Sequence, residues 1–366
     1  MLPDSLYILK QRILHGYVLR GIQNKKPMSV NVEPTNACNL SCSICPHGSQ
    51  KIVDAQENRA IGFMTMDTYR EVLNGCGENI KSMALYLHGE PFLNENLGEM
   101  VNLAVKRGIG VTVFSNGMSL NIDTKVEELL KQGPVSLNIS MDLISRRGYE
   151  ILKGFDGYNK ACDNFSTIAA LFARKTGTSQ LSLRSIYQGE SRKEIRAYLE
   201  QYLKTSGIGA VQVTHPFPWP GNKDANILAG KLTMDNYLVC PQVNNALNIC
   251  WDGTVVPCSF DNNATYPVGN IHSATLDEIF NNKKVRYFRR SHYLGKRREI
   301  PLCKYCELPR FVINIITIRR DEYLKLGKTD INDLITRISN LNYKPSQQRS
   351  KSIKSSTVKQ GMKSER

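Results

Sequence analysis

Two hydrophobic periodicities alternate along this chain. Short stretches repeat apolar residues at every second position, as a half-buried strand does: Ser29–Glu33, Ser82–Leu87, Gly110–Phe114, Val135–Ile139, Leu181–Ile186 and Ala210–Thr214. Between them lie helical patterns such as NLGEMVNLAVKRG and TKVEELLKQG, each closing on a glycine able to take the left-handed conformation of a helix C-cap. Strand, helix, strand in regular alternation predicts an α/β fold with a parallel sheet and helices outside it. Six such strands make an open or partial (β/α)6 barrel. In such folds the chemistry gathers at the carboxyl ends of the strands. Here the second strand ends at His88-Gly89-Glu90-Pro91, the third at Ser115-Asn116-Gly117 and the fourth at Ser140-Met141-Asp142. The first runs into a loop holding Cys38, Cys42 and Cys45.

From Cys240 the pattern changes. NNALNICWDGTVVPCSF reads as a hairpin turning at Asp252-Gly253, and VGNIHSATLDEIFNN as a turn followed by a short helix. Cys303 and Cys306 close this second, small, cysteine-bearing unit, and Phe311 to Ser339 reads as a long helical segment. At the other end, Leu6, Leu9, Ile13, Leu14, Tyr17 and Val18, interleaved with Lys10, Arg12 and Arg20, predict an amphipathic helix rather than a signal peptide.

Composition narrows the class. No apolar run approaches the roughly 20 residues that cross a bilayer. The net charge of +15 would suit a nucleic-acid binder, but its distribution argues otherwise. Residues 341–366 hold seven Lys or Arg against one Glu among Ser and Gln, the composition of a disordered tail. A second basic cluster, Lys283 to Arg298, is either a solvated face or a counter-charge to nearby thiolates or to an anionic partner. Ten cysteines without a secretory signal point to metal or redox chemistry in a reducing, cytoplasmic setting.

Three thiolates on one tight loop suit three corners of a cubane cluster. Structural zinc wants four ligands, and His47 is the nearest fourth. The second set, Cys240, Cys258, Cys303 and Cys306, can close all four positions of one metal or one cubane; a zinc ribbon is the other reading. Cys76 and Cys162 fall in helical patterns and read as small buried residues, and Cys250 is a weaker alternative to Cys240.

Cys-x3-Cys-x2-Cys after a first strand, with Gly89-Glu90-Pro91 ending the next, resembles the radical S-adenosylmethionine (SAM) superfamily. The resemblance implies that Cys38, Cys42 and Cys45 hold a [4Fe–4S] cluster whose fourth iron is chelated by SAM. It further implies that Gly89, Glu90 and Pro91 border the SAM amino group, although His88 stands where the family's motif has its first Gly. Ser115, Asn116 and Ser140 would lie near the SAM ribose and the substrate, and Ile44 occupies the place of an aromatic beside the adenine. The unit after Cys240 resembles the SPASM auxiliary-cluster domain in its one-cluster twitch form, since no cysteine follows Cys306.

The expected organisation is therefore a helix over 1–28, a radical SAM core over 29–235, an auxiliary [4Fe–4S] domain over 236–310, a helical segment over 311–340 and a tail. Within the superfamily the chain is similar to 2-deoxy-scyllo-inosamine dehydrogenase and the anaerobic sulfatase-maturating enzymes. That resemblance implies dehydrogenation of an alcohol carbon of a sugar or aminocyclitol, with the auxiliary cluster as electron acceptor. A maturase of a peptide side chain is the runner-up, and a zinc-stabilised nucleic-acid-binding protein the alternative from another class. Asp142 and Arg184 are the catalytic candidates, with His215 and Trp219 lining the pocket. The partners implied are a sugar-like or peptide substrate and an electron donor such as flavodoxin or ferredoxin, with no nucleic acid.

Overall fold

The computed structural model describes residues 26–46, 59–175, 177–215, 240–304, 306 and 315–341. The N-terminal helical pattern, His47, Trp219 and the basic tail lie outside them. Six parallel strands appear in sequence order: β1 (Ser29–Val32), β2 (Ser82–Leu85), β3 (Gly110–Ser115), β4 (Val135–Ser140), β5 (Gln180–Ile186) and β6 (Ala210–Thr214). The connecting helices are α1 (Met66–Gly75), α2 (Leu97–Lys106), α3 (Ile122–Lys131), α4 (Arg146–Lys153), α5 (Tyr158–Arg174) and α6 (Arg192–Lys204). Three of the six start at a side-chain cap. Thr65 accepts from the Thr68 amide ahead of α1, Ser145 caps α4, and Ser191 with Glu194 forms a capping box on α6. Gly108, with φ of 72°, follows α2 as expected of a helix-ending glycine.

Alternation along the strands divides the sheet into two faces. Val111, Val113, Leu137, Ile139, Leu181, Leu183, Val211 and Val213 are buried in the main core beneath the helices. Their neighbours Thr112, Phe114, Asn138, Ser140, Ser182, Arg184 and Gln212 point to the opposite, concave face and stand in register across it. Polar residues thus line the inside of the partial barrel. That arrangement suits a polar ligand and not a packed interior.

The sheet extends beyond six strands at both edges. After α7 (Pro241–Asn245), β7 (Ala246–Ile249) pairs parallel with β1, and β8 (Thr254–Val256) and β9 (Gly269–Asn270) continue antiparallel. The β7–β8 hairpin turns at Gly253, with φ of 80°, as Asp252-Gly253 predicts. The small cysteine unit is therefore hydrogen-bonded to the core, and Asn31 and Asn248 donate and accept across the seam at 2.8 Å. The helices α8 (Leu276–Asn281) and α9 (Lys283–Tyr293) follow, then α10 (Pro301–Lys304), which carries Cys303.

The segment expected to be one long helix is not. Ile316–Arg319 forms β10, antiparallel to β6, before α11 (Arg320–Tyr323) and α12 (Lys328–Ser339). β6 would otherwise be an open edge, and Ile316 and Ile318 alternate buried with exposed Thr317 and Arg319 to close it. Among the described residues no helix is long and apolar enough to cross a membrane.

A buried ion pair pins the seam between core and cysteine unit. The Arg59 guanidinium forks onto Glu33 at 2.7 and 2.9 Å, its Nε donates to the Asn262 carbonyl, and Glu33 also accepts from the Trp251 amide. Both side chains are nearly inaccessible, so removing one partner strands a charge in low dielectric. Arg59→Met is expected to cost about 3–5 kcal/mol in chemical denaturation, and Glu33→Leu added to it to recover most of that loss.

Candidate active site

The cysteine loop is held by its neighbours on three sides. Thr35 donates to the Gly62 carbonyl at 2.6 Å and its oxygen accepts from the Ala37 amide. The Glu90 amide donates to the Ala37 carbonyl at 2.7 Å. Ser43 donates from its amide to the Leu152 carbonyl and from its hydroxyl to Ile151, tying the loop to the end of α4. Gly89 is required by this packing: its φ is 71°, and a Cβ there would lie 2.4 Å from the Ala37 oxygen and 2.5 Å from the Thr35 oxygen.

Glu90 organises the next strand end. Fully buried, it accepts from the Ser115 hydroxyl at 2.8 Å, the Asn116 amide at 2.7 Å and the Phe92 amide at 3.2 Å. Burial raises its carboxyl while these donors oppose the shift. Asn116 in turn reaches back to Asn39 at 2.8 Å and to the Cys38 sulfur at 3.8 Å. The strand-end clusters read from the sequence therefore do meet, with Glu90 as their hub. Pro91, next in the motif, opens a short 3-10 turn.

The three loop thiols are mutual neighbours. Desolvation by the surrounding chain pushes Cys38 up to about 11 although the residue itself keeps an exposed surface, with Glu90, Cys45 and Cys42 adding to the shift. Cys42 is also raised by burial, against the pull of Lys153. Lys153 is buried at the end of α4, where it pairs with Asp142 at 2.8 Å and donates to the Ser140 carbonyl at 2.9 Å. Ile44 lies half-buried in the same loop.

Of the catalytic candidates, Asp142 has left-handed backbone (φ of 59°), and both carboxylate oxygens are engaged: one by Lys153, the other by the Ile186 amide at 2.7 Å. Nothing in the sequence signals this pair, since Asp142 and Lys153 sit on different elements. Arg184 stands beside Ser140 in the register of β4 and β5, on the concave face. Burial lowers its guanidinium, with Asp142 and Tyr86 opposing. His215 follows β6 directly, half-buried. Tyr86 was not singled out by the sequence. It packs at a tilt against Phe114 with centroids 4.7 Å apart and hydrogen-bonds Ser259, next to Cys258, so it spans from the concave wall to the second cysteine set.

That second set also converges. Cys258 is raised well above its ordinary range, first by burial and then by Cys240, Cys306 and Cys303. Cys250, the alternative ligand, instead faces Glu33, Arg59, Asp252 and Asp261. Cys162 contacts the Tyr202 hydroxyl, and Cys76 caps α1.

The chemistry of these donors can be weighed against an iron–sulfur cluster. Among the described residues no three His, Cys, Asp or Glu side chains close on one metal-ion position. The neighbouring thiols are of the type that binds a cubane, where each thiolate holds a different iron. Bound iron would hold the thiols deprotonated.

Comparison with known proteins agrees with this geometry. Residues 32–200 match the family model of the radical SAM superfamily, and residues 240–307 match SPASM, an iron–sulfur cluster-binding domain. BtrN, solved in complex with AdoMet and 2-DOIA, is 17% identical, with 76% of this chain and 92% of BtrN covered at a TM-score of 0.50. SuiB of Streptococcus suis, solved with S-adenosylmethionine, is 15% identical, with 85% of this chain and 78% of SuiB covered at a TM-score of 0.58. It has also been solved bound to its precursor peptide SuiA. The sporulation killing factor maturation protein SkfB of Bacillus subtilis (strain 168) is 31% identical over 126 residues, 34% of this chain and 29% of SkfB. The chain spans between 29% and 58% of the length of the curated relatives it matches. The two matched domains imply a [4Fe–4S] cluster with SAM and an auxiliary cluster. The chain thus resembles the radical SAM superfamily over residues 32–200 and a SPASM domain over residues 240–307.

Proposed function

We propose that this enzyme dehydrogenates an alcohol carbon of a small, hydroxyl-bearing molecule, a sugar or aminocyclitol. The observation that carries the reading is the polar concave wall, where Asn138, Ser140, Ser182, Arg184 and Gln212 stand in register. A pocket for a polyol needs convergent donors and acceptors, because each substrate hydroxyl taken from water must find a partner. When bound, SAM on the three-cysteine cluster supplies a 5′-deoxyadenosyl radical that removes a hydrogen atom, and the four-cysteine cluster supplies an electron acceptor.

The residues of this chain have distinct duties in that reading. Cys38, Cys42 and Cys45 hold the first cluster, and Cys240, Cys258, Cys303 and Cys306 the second. Gly89 lets the strand end approach the cysteine loop, and Ser115, Asn116 and Ser140 border the SAM site. The oxygens of Glu90 are taken by Ser115, Asn116 and Phe92, so main-chain carbonyls around Gly89 and Pro91 are left to accept from the SAM amino group. Arg184, which remains a cation, donates to the substrate hydroxyl and fixes which carbon faces the radical. Asp142, held by Lys153 and the Ile186 amide at the end of β4, is the group that takes the substrate hydroxyl proton, while the hydrogen atom goes to the SAM-derived radical and the electron to the second cluster. Ile44 contributes the apolar side of the adenine site. An electron donor such as flavodoxin or ferredoxin reduces the first cluster.

A second reading, maturation of a peptide side chain, is favoured by the likeness to SuiB and SkfB. Mass spectrometry after anaerobic incubation with aminocyclitols, sugars and peptides separates the two. Loss of two hydrogens from a cyclitol or sugar is the expected result; modification of a peptide alone would move the assignment to the second reading. Arg184→Met is expected to lower kcat/KM for the accepted cyclitol about a hundredfold, roughly 2.7 kcal/mol, while SAM cleavage without product persists.

A further inference from the structure

The second cysteine set contains a buried cation that the proposed reaction has not used. Arg297, 8% exposed, lies on the 3-10 turn Arg297–Glu299 just before α10. Its Nη1 donates to the carbonyl of Cys303 at 3.0 Å and to that of Cys306 at 3.1 Å. It therefore bridges both ends of the C-x-x-C turn, whose own closure is the Cys306 amide donating to the Cys303 carbonyl at 3.2 Å. Its charge also faces the thiols of Cys240 and Cys303.

A guanidinium withdrawn from water loses several kcal/mol of solvation, and the fold keeps it there against that cost. Its neighbour on the α9 side, His292, adds no charge to share the task. Both its ring nitrogens are buried without a hydrogen-bond partner, and burial together with Arg297 pulls the imidazole down to about 4, so it is neutral at neutral pH. The three-cysteine loop is arranged differently. The cation whose charge acts on Cys42 there is Lys153, and Asp142 sits against it at 2.8 Å.

A cluster held by four thiolates gains negative charge on reduction. A fixed cation among the ligands stabilises the reduced form more than the oxidised form and raises the potential. We propose that Arg297 is a positioning residue of the auxiliary site: it clamps the Cys303–Cys306 turn through both ligand carbonyls and raises the reduction potential of the cluster there. This inference rests on the assignment of Cys240, Cys258, Cys303 and Cys306 as cluster ligands. It explains why the electron would run toward this cluster and not stay on a substrate radical.

The test uses the full chain carrying Cys38→Ala, Cys42→Ala and Cys45→Ala, purified anaerobically so that the iron left belongs to the auxiliary site. Its midpoint is followed by electron paramagnetic resonance during a redox titration, with and without Arg297→Gln. With iron retained, Arg297→Gln is expected to move the midpoint negative, lowering the ratio of reduced to oxidised cluster at fixed potential about tenfold, about 59 mV for one electron. Arg297→Lys, which keeps the charge, is expected to move it less. If Arg297→Gln does not hold iron, His292→Glu takes its place: a carboxylate against the intact guanidinium is expected to move the midpoint in the same direction. An unmoved midpoint in the iron-bearing variant overturns the role of Arg297 alone. No iron in the parent triple variant overturns the ligand assignment and the inference with it.

Discussion

Cys306→Ala is expected to leave SAM cleavage near the wild-type rate and to abolish oxidised product, a fall of about a hundredfold or more by mass spectrometry. The three-cysteine loop takes its support from β2, β3 and α4, none of which includes Cys306. Cys306 is the one member of the second set that is only half-buried, so truncating it leaves little void in the core. On the proposed ligand set it removes one of four ligands. Loss of SAM cleavage together with product would mean that the two sites are not separable. Normal product formation would mean that the second cluster is not the electron acceptor.

Gly89→Ala is expected to do the opposite, emptying the first site while sparing the second. A side chain at φ of 71° costs about 1–2 kcal/mol by itself. The larger effect is steric, because the added Cβ meets backbone oxygens of Ala37 and Thr35 that cannot swing aside as a side chain would. The cysteine loop must move. The Glu90 amide then loses the Ala37 carbonyl, and the link from Glu90 through Asn116 to Asn39 and Cys38 loosens with it. Iron per chain should fall by about half, and 5′-deoxyadenosine formation by about a hundredfold or more. A variant with full iron and normal cleavage would show that this close approach does not matter.

The strands and their polar ends were legible because a strand with one buried face must alternate and because catalytic loops gather where parallel strands end. Cys38, Cys42 and Cys45 stood out by spacing, Gly89 and Glu90 by their place at a strand end and their resemblance to a radical SAM motif, and the structure brings them together around the Ala37 carbonyl and Asn116. What could not be read is what depends on pairing between distant residues. The segment around Ile316 has apolar residues that fit either period, and only the open edge of β6 selects a strand there. The pairing of β7 with β1 joins residues more than two hundred positions apart and makes one sheet of what reads as two units. Asp142 stood out because it ends a strand, but its ion-pair partner, Lys153 on the following helix, could not be read. Arg297 was one cation in a basic run until its contacts with the carbonyls of Cys303 and Cys306 set it apart.

The measurement that bears most directly on a two-cluster radical oxidase is the iron count of anaerobically purified protein beside that of its cysteine variants. The account predicts a brown protein with about eight irons per chain, from two clusters of four. It predicts about four irons in Cys38→Ala/Cys42→Ala/Cys45→Ala, and about four in a variant lacking Cys240, Cys258, Cys303 and Cys306. A colourless protein holding zinc, or a second cysteine set whose removal leaves the iron count unchanged, would contradict it.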